Sequence, residues 1–248
     1  MWVKSAGVTL DRIVAVVLGG GTGTRFGADR PKQLLTLRGR TLVEHCVAAF
    51  AEVDEVLLVM PPAYHEEARR LVGDAVSGII AGGVTRSDSV RAALAHIGAR
   101  HDPQTTGVLI HDAARPLVSR RIIADCVAAL AGDDAIGVAV PSSDTILAVA
   151  DGVVAHVPPR ETLYRAQTPQ GFRLSVIAEA HRLAAADPQF TPTDDCSVVL
   201  RYLPGLPVRV VPGSESNIKV TYPGDLALAE VLLAPPGPSR PPGPPRQL

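Results

Sequence analysis

What this sequence holds little of narrows it first. No charge predominates, since 24 Lys and Arg stand against 25 Asp and Glu, and neither nucleic acid nor an anionic membrane surface would meet a broad electrostatic footprint. Any phosphate binding must be local. Cysteine is scarce: Cys46, Cys126 and Cys196 are an odd set without C-x-x-C spacing, which argues against a disulfide framework or a zinc knuckle and fits a reducing cytoplasm. No apolar run approaches the ~18 residues of a membrane helix, and the first residues lack the basic-then-apolar pattern of a signal peptide. The expectation is a soluble protein with no membrane or nucleic-acid partner. Aromatics make up only 4%, leaving Val, Ile, Leu and Ala to build the core, as in buried parallel strands. At 248 residues, one α/β domain is the starting reading.

What is present alternates in type. Apolar runs of strand length lie at Ile13 to Leu18, Glu55 to Met60, Val108 to His111 and Ala135 to Val140; followed by Gly, Pro or Asp, they read as parallel strands ending in loops. Helical patterns fall between them. Ile122, Ile123, Cys126, Val127 and Leu130 share a face behind a Ser119 cap, Thr41 and Glu44 form a capping box for a helix from Thr41 to Phe50, and a third helix runs from Arg86 to Ile97. The alternation predicts right-handed crossovers and an α/β fold: a doubly wound, mostly parallel, Rossmann-like sheet. Past residue 140 the rhythm changes. Thr145 to Ala150 and Val153 to Val157 flank Asp151-Gly152, a pairing preferred in two-residue type I′ hairpins. A β-hairpin arm is predicted over about 142–160, and because an isolated hairpin is marginal in water, the arm is expected to pack on that of a second subunit in a homodimer. Helices are placed at Leu174 to Ala185 and Leu226 to Leu233, with strands at Val208 to Val211 and Ile218 to Val220 returning to the sheet. Residues 1–233 are assigned to a single domain, and the Pro-rich residues 234–248 to a tail unable to bury apolar surface.

Directly after Leu18 comes Gly19-Gly20-Gly21-Thr22-Gly23-Thr24-Arg25, with Pro31-Lys32-Gln33 close behind. Glycines there let backbone amides approach an anion. A Walker loop needs Gly-Lys, which is missing; a dinucleotide fingerprint needs Gly where Thr24 or Phe26 stands. Amides beside Arg25 and Lys32 suit the dense charge of a triphosphate. Asp112 follows the strand Val108 to His111, at the sheet edge where doubly wound folds hold ligands, and a hard carboxylate there suits magnesium. Taken alone, an Asp in this position also reads as a turn cap.

The stretch L-G-G-G-T-G-T-R-F with P-K-Q resembles the signature of nucleotidyltransferases, specifically the cytidylyltransferases acting on 2-C-methyl-D-erythritol 4-phosphate. Further motifs extend the resemblance in order over about residues 12–233: G-G-V-T-R-S-D-S-V from Gly82, H-D-A-A-R-P from His111, R-A-Q-T-P-Q-G-F from Arg165, T-D-D from Thr193 and N-I-K-V-T from Asn217. The resemblance implies a Rossmann-like nucleotidyltransferase that moves CMP from CTP, with magnesium, to methylerythritol 4-phosphate in isoprenoid precursor synthesis, releasing pyrophosphate. It implies that Arg25, Lys32 and Lys219 act at the reacting phosphates. Gly19, Gly20, Gly21, Gly23, Gly82 and Gly83, with Ser89, would hold the nucleotide, Asp112 the metal, and Arg115 the acceptor. Thr145, Arg160 and Thr168 would line the acceptor pocket, Arg160 and Thr168 reaching across from the partner subunit. His111 reads as a buried strand-end histidine.

Two departures touch the nucleotide contacts: Gly19-Gly20 replaces the family's usual Ala-Ala, and Val84 stands where many members carry Asp near the ribose. Ribitol 5-phosphate cytidylyltransferases share nearly every motif, which keeps CDP-ribitol synthesis open as an alternative. A catalytically inactive nucleotide sensor would be expected to have lost Lys32, Asp112 or Lys219; all three are present.

Overall fold

The computed structural model describes residues 9–20 and 31–234. Gly21, Gly23 and Arg25 of the glycine loop, and the Pro-rich tail from 235 onward, lie outside the described residues. Strand β1 (Arg12–Leu18) leads, past the glycine loop, into a short hairpin, β2 (Thr36–Leu37) and β3 (Arg40–Thr41). Then come α1 (Leu42–Ala49), β4 (Glu55–Met60), α2 (His65–Val72), β5 (Gly78–Ala81), α3 (Arg86–Gly98), β6 (Thr106–Asp112), α4 (Arg120–Leu130) and β7 (Ala135–Pro141). The arm, β8 (Ala148–Ala150) with β9 (Val153–His156), precedes β10 (Tyr164–Arg173), α5 (Leu174–Ala185), α6 (Asp195–Tyr202), β11 (Arg209–Pro212) and α7 (Pro223–Leu232).

The two-residue strand period explains the layers. In β1, Ala15 and Val17 face a core shared with Val43 and Cys46 of α1, Ala68 of α2, and Ile122 and Cys126 of α4. Val14 and Val16 face the other core, with Val90 and Leu94 of α3, Val176 and Ile177 of α5, and Val198 of α6. Each such Val, Leu or Ile side chain taken from water contributes roughly 1.5–3 kcal/mol, so both faces of the sheet must be covered, as the near-continuous apolar strands predict. Helix starts are set locally. Thr41 and Glu44 form the expected capping box, Ser119 caps α4, and Thr85 pairs with Asp88 at the start of α3; each cap is worth ~1 kcal/mol.

The central sheet runs in the order β11-β7-β10-β6-β1-β4-β5. All neighbours are parallel except β10, which is antiparallel to both β6 and β7. The chain leaves β1 toward β4 and β5, then returns to the other side with β6, so the switch point lies between β1 and β6. In open α/β sheets ligands bind at that crevice, beyond the carboxyl ends of the strands. Register completes the placement: Leu18 pairs with Val59 on one side and Asp112 on the other, and Met60 with Ala81. Gly19, Gly82 and Asp112 therefore emerge along one edge.

The arm has the predicted turn, with positive φ at both Asp151 and Gly152, as a type I′ turn requires. Its strands are shorter than the apolar runs suggest. One predicted strand is corrected: Ile218 to Val220 does not join the sheet. Val220 donates its amide to Ala114 O at 2.8 Å, and its side chain is buried with Leu37, Leu42 and Ala229 beneath α7. The apolar alternation there reflects a satellite core and not a ladder. Helix α7 also begins earlier than predicted, at Pro223, whose fixed φ suits a first helical turn.

Candidate active site

The turn after β6 holds the centre of the site. Asp112, the last residue of β6, has its carboxylate spanned by two cations: Arg86 Nε donates to Oδ1 at 3.1 Å, and Lys219 Nζ to Oδ2 at 2.7 Å. Burial pushes the Asp112 carboxyl up, but Arg86 and Lys219 together pull harder and hold it well below the usual carboxylate range. It is an anion at any physiological pH. Arg86 is anchored from behind, its NH1 lying 2.8 Å from Asp195 Oδ2, while His181 Nε2 meets Asp195 Oδ1 at 3.0 Å. Burial would lower the Arg86 guanidinium, yet Asp195 and Asp112 raise it. Asp195 and His181 are almost wholly buried, at 1% and 2% exposure, so the cluster reaches from α5 through α6 and α3 to the sheet edge.

The lysines converge through one segment. Lys219 contacts Asp112, and the next residue, Val220, accepts a hydrogen bond through its carbonyl from Lys32 Nζ at 2.8 Å. Arg115 donates from NH1 to Asn217 O at 2.8 Å and from NH2 to Ala166 O at 3.1 Å; burial holds its pKa below the ordinary arginine value, with Asp112 opposing. Asn217 in turn donates to Gln167 Oε1 and Thr168 O. The motifs from His111, Arg165 and Asn217 are thus hydrogen-bonded to one another.

The glycine turns meet at the start of α3. Ser89 Oγ donates to Thr85 O and accepts from the Gly83 amide, both at 3.1 Å. A Cβ on Gly83 would lie 2.1 Å from Asp88 Cβ, one on Gly82 2.7 Å from Ser89 Oγ, and one on Gly20 3.3 Å from that same oxygen. Gly83 sits against the helix as only glycine allows, while at Gly82 and Gly20 the Ser89 hydroxymethyl would have to give way to an added carbon. Gly19 has a separate reason to be glycine, since a Cβ there would meet Met60 Sδ at 2.2 Å; the Met60 thioether occupies the space that an alanine methyl would need.

Of the sequence-predicted residues, the fold brings together Gly19, Gly20, Lys32, Gly82, Gly83, Ser89, Asp112, Arg115, Thr168 and Lys219. Thr145 and Arg160 belong instead to the arm, joined to each other by a 3.3 Å hydrogen bond. Thr168 departs from its expected place across the subunit boundary. It is buried in its own chain, where β10 runs antiparallel to β6 and its hydroxyl accepts from the Asp112 amide at 3.1 Å. Arg86, Asp195 and His181 were not singled out from sequence. Arg86 and Asp195 do lie in two of the quoted motifs, but nothing local in either announces their pairing.

Among the described residues no group of three or more His, Cys, Asp or Glu side chains could hold a metal. Asp112 is a single hard carboxylate, which fits a magnesium ion that arrives with triphosphate oxygens and keeps several waters; it does not fit a resident all-protein site.

A glycine-lined sheet edge at the switch point, where a carboxylate is set among cations drawn from opposite ends of the chain, suits the handling of nucleoside triphosphates, and with this sheet order it defines an α/β nucleotidyltransferase. Comparison with known proteins narrows the class. Residues 13–235 match the model of the family IspD, 2-C-methyl-D-erythritol 4-phosphate cytidylyltransferase. The chain is 54% identical over 234 residues, 90% of its length and 93% of the relative's, to the 2-C-methyl-D-erythritol 4-phosphate cytidylyltransferase of Thermobifida fusca (strain YX). It superimposes with a TM-score of 0.71 at 34% identity on the crystal structure of the Thermus thermophilus cytidylyltransferase of the same name, covering 88% of this chain and 96% of that one. A more distant relative is the bifunctional ribulose 5-phosphate reductase/CDP-ribitol pyrophosphorylase Bcs1 of Haemophilus influenzae, 37% identical over 229 residues, 89% of this chain but 48% of that protein. This chain belongs to the 2-C-methyl-D-erythritol 4-phosphate cytidylyltransferase family.

Proposed function

We propose that the protein transfers CMP from CTP to 2-C-methyl-D-erythritol 4-phosphate, giving 4-diphosphocytidyl-2-C-methyl-D-erythritol and pyrophosphate. A phosphate oxygen of the acceptor forms the new bond at the α-phosphorus of CTP, and the bond to the β-phosphate oxygen breaks. Both reactants are anions, so the work of the protein is positioning and charge neutralisation. The observation that carries the reading is the Arg86–Asp112–Lys219 chain of charge beside the Gly82–Gly83 turn. Lys219 and Lys32, with Arg25 of the glycine loop, are assigned to the triphosphate and the charge developing on it; Arg115, Thr145, Arg160 and Thr168 are assigned to the acceptor side. Ser89 and the glycines seat the nucleotide. Asp112 would hold magnesium, which supplies further screening of the phosphates. Ribitol 5-phosphate is the weaker acceptor reading, because the ribitol-acting relative is the more distant in sequence.

The active form is assigned as a homodimer through the arm, where Val149, Val153, Val154 and Val157 are all half or more exposed. The cytoplasm is the assigned location. Three unpaired cysteines support it, and no helix among the described residues is long and apolar enough to cross a membrane. A pyrophosphate-release assay crossing the four nucleoside triphosphates with methylerythritol 4-phosphate, ribitol 5-phosphate and glycerol 3-phosphate tests the reaction. Turnover is expected with CTP and methylerythritol 4-phosphate; preference for ribitol 5-phosphate, or for UTP or GTP, would overturn the assignment. Removing divalent cations with EDTA is expected to abolish turnover and added magnesium to restore it. Undiminished turnover in EDTA would remove the metal from the account.

A further inference from the structure

His111 is a buried side chain for which cytidylyl transfer itself finds no use, and it occupies a position of consequence. Its ring is fully buried at the end of β6 and packs at a tilt against Phe50, with centroids 5.2 Å apart. Nδ1 lies 3.0 Å from Thr168 Oγ1, and Nε2 lies 3.1 Å from Arg115 O. The same Thr168 oxygen is 3.1 Å from the Asp112 amide nitrogen.

Proton positions in this chain can be worked out from its ends. An amide N–H only donates, so Thr168 Oγ1 accepts from Asp112. A carbonyl oxygen only accepts, so His111 Nε2 must carry hydrogen to bond Arg115. The Thr168 hydroxyl has one hydrogen left to give, and the lone pair of a neutral Nδ1 takes it. The other neutral tautomer would set the Nε2 lone pair against the Arg115 carbonyl and leave the threonine hydrogen without that acceptor. The residues tied in this way are the two ends of the turn that carries Asp112 and Arg115. Its middle is pinned as well, by Ala113 N to Leu18 O at 3.0 Å and Val220 N to Ala114 O at 2.8 Å.

We propose that His111 is a positioning residue for cytidylyl transfer: as the neutral Nε2–H tautomer, bridged by the Thr168 hydroxyl, it fixes the backbone of the Asp112–Arg115 turn and so the placement of the carboxylate and guanidinium at the phosphates. On this account Thr168 acts through the turn as well as at any acceptor. The activity part of the inference rests on the cytidylyl-transfer reading; the tautomer part does not.

Two measurements on the full chain test it. In ¹⁵N-labelled protein at neutral pH, the His111 imidazole is expected to show a protonated Nε2 and an unprotonated Nδ1 that shifts in Thr168→Val. An Nδ1–H tautomer or an imidazolium would overturn the proposal, whether or not the enzyme turns over. In steady-state assays with CTP and methylerythritol 4-phosphate, His111→Gln and Thr168→Val are each expected to lower kcat about 10–100-fold, as when a supporting partner of an active-site ligand is lost. KM for CTP should move far less, and Thr168→Ser should recover most of kcat. The double variant should be little worse than the poorer single one, since both break the same chain. Full additivity, or an unchanged kcat in folded His111→Gln, would contradict the proposal. An inactive wild-type protein would instead count against the function.

Discussion

Asp112 shows how a single side chain is given its character by its neighbours. Alone at the end of a strand it would be an ordinary carboxylate; between Arg86 and Lys219 it is fixed in place and kept ionised. His111, next to it, is driven the opposite way. Burial holds the imidazole neutral, lowering its pKa from 6.5 to about 4 against the pull of Asp112. The unfolded chain therefore takes up a proton that the folded chain refuses as pH falls through that interval, and folding stability must fall with it, by up to about 1.4 kcal/mol per pH unit. Urea unfolding of wild type and His111→Asn between pH 7 and pH 4 is the check. The variant is expected to lose this part of the pH slope, whatever its absolute stability; parallel slopes would mean that His111 is not held neutral. None of this was legible from the sequence beyond a histidine at a strand end, because the partners that set its state, Thr168 and Arg115, are defined only by the register of β10 on β6 and by the turn.

Elements were the most legible scale, where a local rule sufficed. Thr41 with Glu44, Ser119 before its apolar stripe and Asp151-Gly152 each specify their own geometry within four residues, and each is present as read. Strand β10 was not legible, since Gln167, Pro169 and Gln170 break the apolar alternation, and its place between β6 and β7 comes from hydrogen bonds to both neighbours. The Gly82–Gly83 turn was seen as a motif, but its physical reason is a close approach to α3. Gly83→Ala would press a methyl onto Asp88 and is expected to cost about 1–3 kcal/mol and to raise KM for CTP. Gly98→Ala on the same helix, where the added carbon meets nothing, should cost neither. Thermal unfolding with CTP titration compares them, and equal behaviour of the two variants would dismiss the close approach.

At the scale of the whole molecule, the sheet order collects residues from both ends of the chain at one crevice. The resemblance implied the shared site by its ordered motifs, yet not the ion pair of Arg86 with Asp195 that braces Asp112 from behind, because such a pairing leaves no spacing in the sequence. The proposed homodimer would extend the logic beyond one chain, through an arm that carries Thr145 and Arg160 and exposes apolar valines. Val149→Asp with Val154→Asp is expected to turn a dimer into a monomer in sedimentation velocity and to lower turnover with it; a variant that stays dimeric would remove the arm from the interface. The central claim, that the charged cluster at Asp112 is where CTP reacts, is tested most directly at Lys219. That side chain is 45% exposed and Arg86 still faces Asp112 without it, so its removal should leave the chain folded. Turnover of Lys219→Ala with CTP and methylerythritol 4-phosphate is expected to fall at least ~100-fold in a chain that still unfolds cooperatively, whereas turnover within about threefold of wild type would contradict the account.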